Sequence, residues 1–260
     1  MLMVAGWQRD CKDTFYDLFA NPCKCIMEGK MKKLPVIIPA RAGSKGIIGK
    51  NIVTFCERPL ISWSIIQALE SEHVSGVYVS TDGEDIAAVS EKAGASIIWR
   101  PSELASDTSS SEDALRHAIR EIENEEEFES LIFLQATSPI RRADDIDKAV
   151  EFFLEGGYDS IFSMAVLEDF CMWKRKGDLL FSYSYDYKNR GRRQDREPIY
   201  LENGSIYIFK KNMFLEENNR LGGKIGMYEM PFECSYEIDS LKDVKICEFF
   251  MKNMIIDQNY

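Results

Sequence analysis

From about residue 34 onward, short apolar runs alternate along the chain with segments whose apolar residues recur at helical spacing. The runs are rich in β-branched residues, which is typical of buried strands. Five of them are LPVII, GVYVS, ASIIW, SLIFLQ and DSIFSMAV. The intervening segments predict helices that bury one face. The predicted buried faces consist of Ile61, Ile65, Ala68 and Leu69, then Leu115, Ile119 and Ile122, and then Ile146, Val150, Phe153 and Leu154.

This regular alternation predicts an α/β fold with a mostly parallel sheet that is covered by helices on both faces. The runs GSIYIFKK and KIGMYEM and a closing helix from Ser240 to about Met251 complete the pattern. Ligands of such sheets bind beyond the carboxyl ends of the strands. We therefore expect a functional site in the loops that follow the strands.

Two segments depart from the alternation. Residues 1–30 show neither period, and MKKLPVII would itself make a natural beginning. We therefore interpret residues 1–30 as an N-terminal extension, with a start that is misassigned if Met31 is the functional one, and residues 31–260 as the main domain. Residues 167–202 are aromatic, basic and irregular, which indicates an insertion within that domain.

The charge of the chain narrows the range of partners. Its 260 residues include 32 lysines and arginines against 43 aspartates and glutamates, a net charge of −11. General attraction to nucleic acid or to an anionic membrane is therefore not expected. No apolar run approaches the roughly 20 residues that span a bilayer, and the seven irregularly spaced cysteines do not indicate a disulfide framework. These features predict a cytoplasmic protein that needs a local cluster of cations to hold an anionic ligand.

The stretch IPARAGSKGIIGKN, which ends the first predicted strand, contains such a cluster. Its three glycines allow sharp turns and close approach of the backbone to a ligand. Its spacing differs from a P-loop, because five residues separate Gly43 from Gly49 and Asn51 stands in place of a serine or threonine. It also lacks the GxGxxG of dinucleotide-binding folds. A polyphosphate cradle and a plain solvated turn both remain open on this loop alone. The cations of the stretch are Arg41, Lys45 and Lys50.

Five motifs together resemble one known family. IPARAGSKGIIGKN is similar to the nucleotide-binding signature of the acylneuraminate cytidylyltransferases. The segments RPSELASDTSSSEDAL, LQATSPIR, RRQDREPIYLENGSIYIF and YEIDSLKD resemble later motifs of that family and follow in the same order, from about Leu34 to Asp243. The resemblance implies a Rossmann-like nucleotidyltransferase that joins CTP to a nine-carbon 2-keto sugar acid and releases pyrophosphate. Such a reaction needs positioning and charge neutralisation rather than a protein nucleophile.

The resemblance also assigns roles to motif residues. The DTSSSED segment has a second interpretation, as an N-cap before the helix that contains Leu115. The catalytic residues implied by the resemblance are Arg41, Lys50 and Asp239. Those implied for the nucleotide are Ser44 and Lys45 at the phosphates, Asn51 at the nucleoside, and Arg100, Ser109 and Ser111 at cytosine. Those implied for the sugar acid are Gln135, Arg193, Gln194 and Asn203.

YEIDS is the candidate magnesium site. A strand would place Glu237 and Asp239 on the same face, because side chains two residues apart point the same way. Mg²⁺ prefers one or two carboxylates together with phosphate oxygens and water. Many members of the family have DxD here, so Glu237 is a departure that leaves Asp239 as the stronger ligand. Two plain solvated acids are the alternative.

The inserted segment and the exact substrate complete the predictions. In the family, this region forms a dimer interface, so we expect an inserted dimerisation subdomain and a homodimer. The aromatic residues that would supply the interface are Phe170, Trp173, Phe181, Tyr183, Tyr185 and Tyr187. Legionaminate or pseudaminate could replace the acylneuraminate, while the shorter acid Kdo and GTP fit less well. A nucleotide-binding homologue without catalysis and a glycosyltransferase with a similar sheet are alternatives from other classes.

Overall fold

The computed structural model describes residues 33–44, 46–106, 109–142, 144–167 and 170–256. All of them belong to one compact unit, residues 32–260. The predicted extension at residues 1–30 lies outside the described residues, so it stays a prediction.

A seven-stranded sheet forms the centre of the described part of the chain, in the order β11-β7-β10-β6-β1-β4-β5. Neighbouring strands are parallel except for β10, which runs antiparallel to both β6 and β7. Two small hairpins, β2-β3 and β8-β9, stand apart from this sheet. The strands are β1 (Leu34–Pro39), β2 (Thr54–Phe55), β3 (Arg58–Pro59), β4 (Val74–Thr81), β5 (Ser96–Trp99), β6 (Ser130–Leu134), β7 (Ser160–Val166), β8 (Trp173–Lys176), β9 (Leu179–Ser182), β10 (Tyr200–Lys210) and β11 (Ile225–Glu229).

Helices cover both faces of the sheet because the side chains of its strands alternate between two apolar cores. Val36 and Ile38 of β1 face one core, and Ile37 between them faces the other. The first core is closed by residues of α1, α2, α4 and α6, and the second by residues of α3 and α5. The helices are α1 (Leu60–Leu69), α2 (Glu84–Lys92), α3 (Ser111–Glu123), α4 (Asp145–Glu155), α5 (Lys211–Glu217) and α6 (Leu241–Phe250).

The predicted mostly parallel α/β fold is confirmed. All five apolar runs form strands of the central sheet, and the predicted helical faces are buried with two exceptions. Leu69 and Leu154 are exposed, so their assignment to the buried faces is wrong. Both lie in the last turn of their helix.

The inserted segment leaves the sheet at the end of β7 and returns as β10. Between them, β8 and β9 form an antiparallel hairpin in which Trp173 pairs with Ser182 and Lys174 with Phe181. The side chains of this hairpin are largely exposed. Because β10 is antiparallel to β7, the segment begins and ends at the same edge of the sheet, beyond the carboxyl ends of the parallel strands.

Candidate active site

A cavity of about 310 Å³ lies at the carboxyl edge of the sheet, next to the end of β1 and the first turn of α3. A cavity of this size is at the lower end of the range for small-molecule sites. Seven of the residues predicted from the sequence line it, together with four others. The predicted ones are Arg41, Ser44, Lys50, Asn51, Arg100, Ser109 and Ser111, and the others are Pro39, Ser110, Ala114 and Thr137. The DTSSSED segment and the cationic loop after β1 therefore contribute residues to the same cavity.

Polar anchors fix the two ends of the loop after β1. The N–H of Ala42 donates to the carboxylate of Asp82, 2.9 Å away, and the side-chain amide of Asn51 donates to the carbonyl oxygen of Arg41 at 3.1 Å. Asn51 is buried, so its amide holds the loop as well as lining the cavity. Lys45 lies outside the described residues, and its predicted contact with phosphate stays a prediction.

At two positions of this loop, the local geometry requires a glycine. Gly49 has φ +65°, a left-handed conformation that residues with a Cβ rarely adopt. At Gly46, a Cβ would stand 2.5 Å from the carbonyl oxygen of Asp239, whereas a Cβ at Gly43 would meet nothing within 4 Å. The loop therefore packs directly against the YEIDS segment, which requires a glycine at position 46.

The ammonium group of Lys50 joins the cationic loop to the acidic segment. Its Nζ lies 2.9 Å from Oδ1 of Asp239, with the lysine side chain mostly buried and that of Asp239 70% exposed. This ion pair places a cation and an accessible carboxylate at the same point of the cavity rim. An incoming phosphate oxygen would compete with Asp239 for the lysine, and a metal ion would compete with the lysine for Asp239.

Arg100 forms one buried wall of the cavity. Its guanidinium donates to both the hydroxyl and the carbonyl oxygen of Ser80, at 3.2 Å from Nε and 2.7 Å from Nη2. Burial lowers the pKa of Arg100, and the carboxylate of Asp82 opposes that effect. A guanidinium fixed by neutral partners keeps its charge available to a ligand.

The serines before α3 serve two purposes. Ser110 is the N-cap of α3 and forms a reciprocal capping box with Asp113, which confirms the capping interpretation. Ser109 donates to the carbonyl oxygen of Glu103 at 3.0 Å, and Ser111 is the first residue of the helix. All three line the cavity, so the helix start that organises them also presents hydroxyl groups to a ligand.

Gln135, Gly204 and Glu237 meet next to this cavity. Gly204 has φ +67°, and a Cβ there would clash with Oε1 of Glu237 and lie 2.9 Å from Oε1 of Gln135. The glycine therefore lets two polar side chains from distant parts of the chain approach the same backbone. Gln135, which is predicted to contact the sugar acid, therefore lies close to Glu237, which is predicted to bind the metal.

The YEIDS segment does not form a strand, so that prediction is wrong. Ile238, which lies between the two acidic residues, is buried, and its N–H donates to the carbonyl oxygen of Thr137 at 2.8 Å. The next residue, Ser240, caps α6, and Asp243 of that helix also accepts from the N–H of Asp239 at 3.1 Å. A buried apolar anchor and a helix start thus replace the strand.

Glu237 and Asp239 suit a divalent cation. Burial raises the pKa of Glu237, the nearby charge of Asp239 raises it further, and Lys50 opposes the rise. A bound cation would stabilise the charge of Glu237, which burial and the neighbouring carboxylate disfavour. Among the described residues, no cluster of three or more acidic, histidine or cysteine side chains could hold a metal. Two carboxylates fit a magnesium ion whose remaining positions go to phosphate oxygens and water.

Three of the residues predicted to bind the sugar acid do not line this cavity, namely Gln135, Gln194 and Asn203. Asn203 is only 1% exposed, and its side chain accepts from Ser163 and from the N–H of Ser205 inside the protein. We therefore correct its role from a ligand contact to a structural one. Gln194 is exposed in a short 3₁₀ turn of the insertion, Arg193–Asp195, and does not line the cavity. The side chain of Arg193 lies outside the described part of the chain.

Arg141 supports the backbone beside the site, a role that the sequence did not predict. It is fully buried, and its guanidinium donates to the carbonyl oxygens of Gln135 and Ser205, at 3.0 Å and 2.8 Å from Nη2. Its Nη1 donates to Ser64 and Gln67 of α1. Burial lowers the pKa of Arg141 to about 10. The only signal in the sequence was its place in LQATSPIR, which does not reveal whether an arginine is inside or outside.

The chain is similar in sequence to known proteins of one family. The family model described as cytidylyltransferase matches residues 35–255. N-acylneuraminate cytidylyltransferase A of Danio rerio is 38% identical over 223 residues, which is 84% of this chain and 51% of that protein. Post-translational flagellin modification protein B of Campylobacter coli is 32% identical, over 85% of this chain and 96% of its own length. The chain therefore spans about half the length of that acylneuraminate relative.

Solved structures agree on the fold. The structure of CMP:2-keto-3-deoxy-manno-octonic acid synthetase complexed with CTP matches with a TM-score of 0.63 and 16% identity, covering 86% of this chain and 100% of the other. At that identity the match concerns the fold alone. Among the helices of the described ranges, none combines the length and apolar content that crossing a membrane requires.

Proposed function

Because the chain belongs to the cytidylyltransferase family, we propose that it transfers the cytidylyl group of CTP to a nine-carbon 2-keto sugar acid. The anomeric hydroxyl of the acid attacks the α-phosphate, the bond to the β-phosphate breaks, and pyrophosphate leaves. The observation that carries the proposal is the convergence of Arg41, Lys50 and Arg100 on one cavity in a chain whose net charge is −11. Cations gathered at one point of an acidic protein indicate a polyanionic ligand.

Each wall of the cavity suits one part of the nucleotide. The loop after β1 offers cations and backbone groups to the triphosphate. The serines at the start of α3 and the guanidinium of Arg100 offer short donors and acceptors to a pyrimidine. Lys50 stands at the junction between the phosphate side and the acidic side, where a cation would stabilise charge that develops on the reacting phosphate.

Magnesium is the proposed cofactor, and Glu237 and Asp239 would hold it. Bound there, the ion would neutralise charge on the α-phosphate and on the departing pyrophosphate. The protein's own contribution is to hold Asp239 beside Lys50 and to fix the backbone at Gln135 and Ser205 through the carbonyl contacts of Arg141.

The identity of the acid is the open part of the proposal. The acylneuraminate relatives support an acylneuraminate, since Danio rerio N-acylneuraminate cytidylyltransferase A shares 38% identity with this chain. The flagellin modification relative matches over 96% of its length, which supports legionaminate or pseudaminate as the second candidate. We further propose that the enzyme is a cytoplasmic homodimer, in which the exposed aromatic residues of the insertion form the interface.

Pyrophosphate release tests the proposal directly. The protein is incubated with Mg²⁺, CTP and one acid of a panel that contains an acylneuraminate, legionaminate, pseudaminate and Kdo. We expect release with CTP and a nine-carbon acid, none when GTP replaces CTP, and none when a chelator removes the metal. Binding of CTP without release in any mixture would instead identify a nucleotide-binding homologue. Turnover of the finished CMP-sugar without use of free CTP would identify a glycosyltransferase.

A further inference from the structure

An exposed carboxylate is held in a fixed position beside the candidate active site. Glu202 lies near the start of β10, where its side chain is exposed, and accepts a hydrogen bond from the hydroxyl of Tyr207. Because Ile206 pairs with Leu134, the last residue of β6, the start of β10 extends beyond the carboxyl end of β6. Glu202 therefore stands above the edge of the sheet, two residues before Gly204.

The tyrosine that holds Glu202 is itself rigid. Tyr207 is buried and stacks on Phe133, with ring centroids 5.3 Å apart. The guanidinium of Arg220 lies 5.1 Å from the centre of the Tyr207 ring and binds Glu112 in the first turn of α3. Burial and the bond to Glu202 raise the pKa of Tyr207, so its hydroxyl remains a donor. The orientation of the Glu202 carboxylate is thus set from inside the sheet.

The charge of Glu202 is not used within the described part of the chain. None of the described lysines or arginines forms an ion pair with it. Its carboxylate also lies close enough to Glu237 for the two negative charges to repel each other. It is not part of a three-residue metal cluster either. A carboxylate that is anchored and exposed at the edge of a candidate site, with no ion pair to a described lysine or arginine, is available to contact a ligand.

We propose that Glu202 is a specificity-determining residue whose carboxylate accepts hydrogen bonds from hydroxyl or amide N–H donors of the sugar acid. This inference rests on the proposed function, and it extends that function to the part of the substrate that carries no charge. An ionised carboxylate is an acceptor only. It therefore selects acids with several donors at this end and repels a second carboxylate. The substrate's own carboxylate must lie away from Glu202.

Steady-state kinetics of matched variants test the inference. Glu202→Gln keeps the shape of the side chain and removes the charge, and Tyr207→Phe removes only the anchor. Glu229→Gln is the control, because Glu229 is also exposed and pairs with the same residue of β7, Met164, from the other side. The Michaelis constants for the sugar acid, CTP and Mg²⁺ are measured separately, and binding of the acid is measured by calorimetry without turnover.

For Glu202→Gln we expect the Michaelis constant for the acid, and its dissociation constant, to rise about tenfold, the usual size of one lost charge-assisted hydrogen bond. For Tyr207→Phe we expect a smaller rise, of about threefold. The constants for CTP and Mg²⁺ should stay unchanged in both, and Glu229→Gln should match the parent in all of them. A purely structural role would change the constants for CTP and the acid together.

The outcomes separate this inference from the proposed function. An active parent whose Glu202→Gln variant keeps the parent's constant for the acid overturns the inference alone. A shift in the Mg²⁺ requirement also overturns it, because Glu202 would then serve the metal. A parent that neither binds nor converts any acid of the panel overturns both.

Discussion

The cavity and the β8-β9 hairpin lie at the same edge of the sheet but are built in opposite ways. The cavity walls are buried or anchored: Asn51 and Arg100 are buried, and their polar atoms bind backbone groups of the same chain. In the hairpin, Trp173 is 46% and Phe181 48% exposed. The cavity walls are therefore fixed by contacts within the described part of the chain, whereas the hairpin presents apolar surface that the described residues do not cover. Because of this difference, ligand binding in the cavity and association through the hairpin can be tested separately.

The contacts within the insertion strengthen this contrast. Its aromatic residues contact mainly one another and nearby cations, as when Trp173 meets Tyr185 edge-on at 6.1 Å and Lys174 lies 3.5 Å from the ring centre of Tyr183. Such contacts order the side chains without burying them. Exposed aromatic clusters are typical of interaction surfaces. They fit the proposed homodimer and have little part in the nucleotide cavity.

The largest effect on catalysis is expected from replacing Lys50, which lines the cavity. Replacement Lys50→Met removes the cation that bridges the loop and Asp239, so kcat should fall about 10²- to 10³-fold, as for loss of one transition-state donor. Pyrophosphate release at saturating CTP and acid measures it. The association state should not change, because the hairpin is untouched. A kcat within threefold of the parent would contradict the role of Lys50.

The next effect tests whether the loop must contact the YEIDS segment. Gly46→Ala places a Cβ 2.5 Å from the carbonyl oxygen of Asp239, so the loop must shift. A displacement of about 1 Å can lower catalysis up to about 10²-fold, and we expect kcat/KM for CTP to fall at least tenfold. Gly43→Ala is the matched control, since its Cβ meets nothing within 4 Å, and it should behave like the parent. Equal loss in both variants would show that the loop tolerates no side chain for another reason.

The hairpin is broken by replacing its exposed aromatic residues. In the double variant Trp173→Ser and Phe181→Ser, we expect the dimer dissociation constant to rise by about 30-fold or more, since a buried aromatic contact at an interface often contributes about 2 kcal/mol. Light scattering over a concentration series measures it. Phe249→Ser, on the exposed side of α6, is the control and should not alter association. A parent protein that is monomeric at micromolar concentration would refute the proposed interface.

The smallest expected effects distinguish Ser110, which caps α3, from Ser111, which would contact the ligand. Ser110→Ala removes the N-cap of α3 and should lower the free energy of unfolding by about 1 kcal/mol, a shift of about 2–4 °C in Tm. Ser111→Ala removes no cap, so it should leave Tm unchanged and raise the Michaelis constant for CTP instead. Thermal melts and CTP kinetics on both variants measure the two effects. A reversed result would exchange the roles of the two serines.

Local patterns in the sequence were sufficient to predict much of the fold and of the candidate site. The strand that ends at Pro39, the glycine spacing after it and the cap before α3 depend on residues close together in the chain, so their chemistry can be interpreted from the sequence. The position of Asn203 depends on Ser163 of a neighbouring strand, which a local pattern does not reveal. The site around Gly204 likewise depends on contacts with Gln135 and Glu237, which are distant in sequence. The motifs therefore located the site, while the direction of single side chains required the fold.

The antiparallel course of β10 has a consequence for how the molecule can change over evolution. Since the insertion departs from and rejoins the sheet at one edge, its length and surface can vary without disturbing the register of the other strands. The same strand carries Glu202 and Gly204, so a partner bound to the hairpin would be linked by continuous backbone to the proposed substrate contact at Glu202. Changes in the proposed interface and in the proposed substrate contact would therefore fall on one continuous segment of the chain.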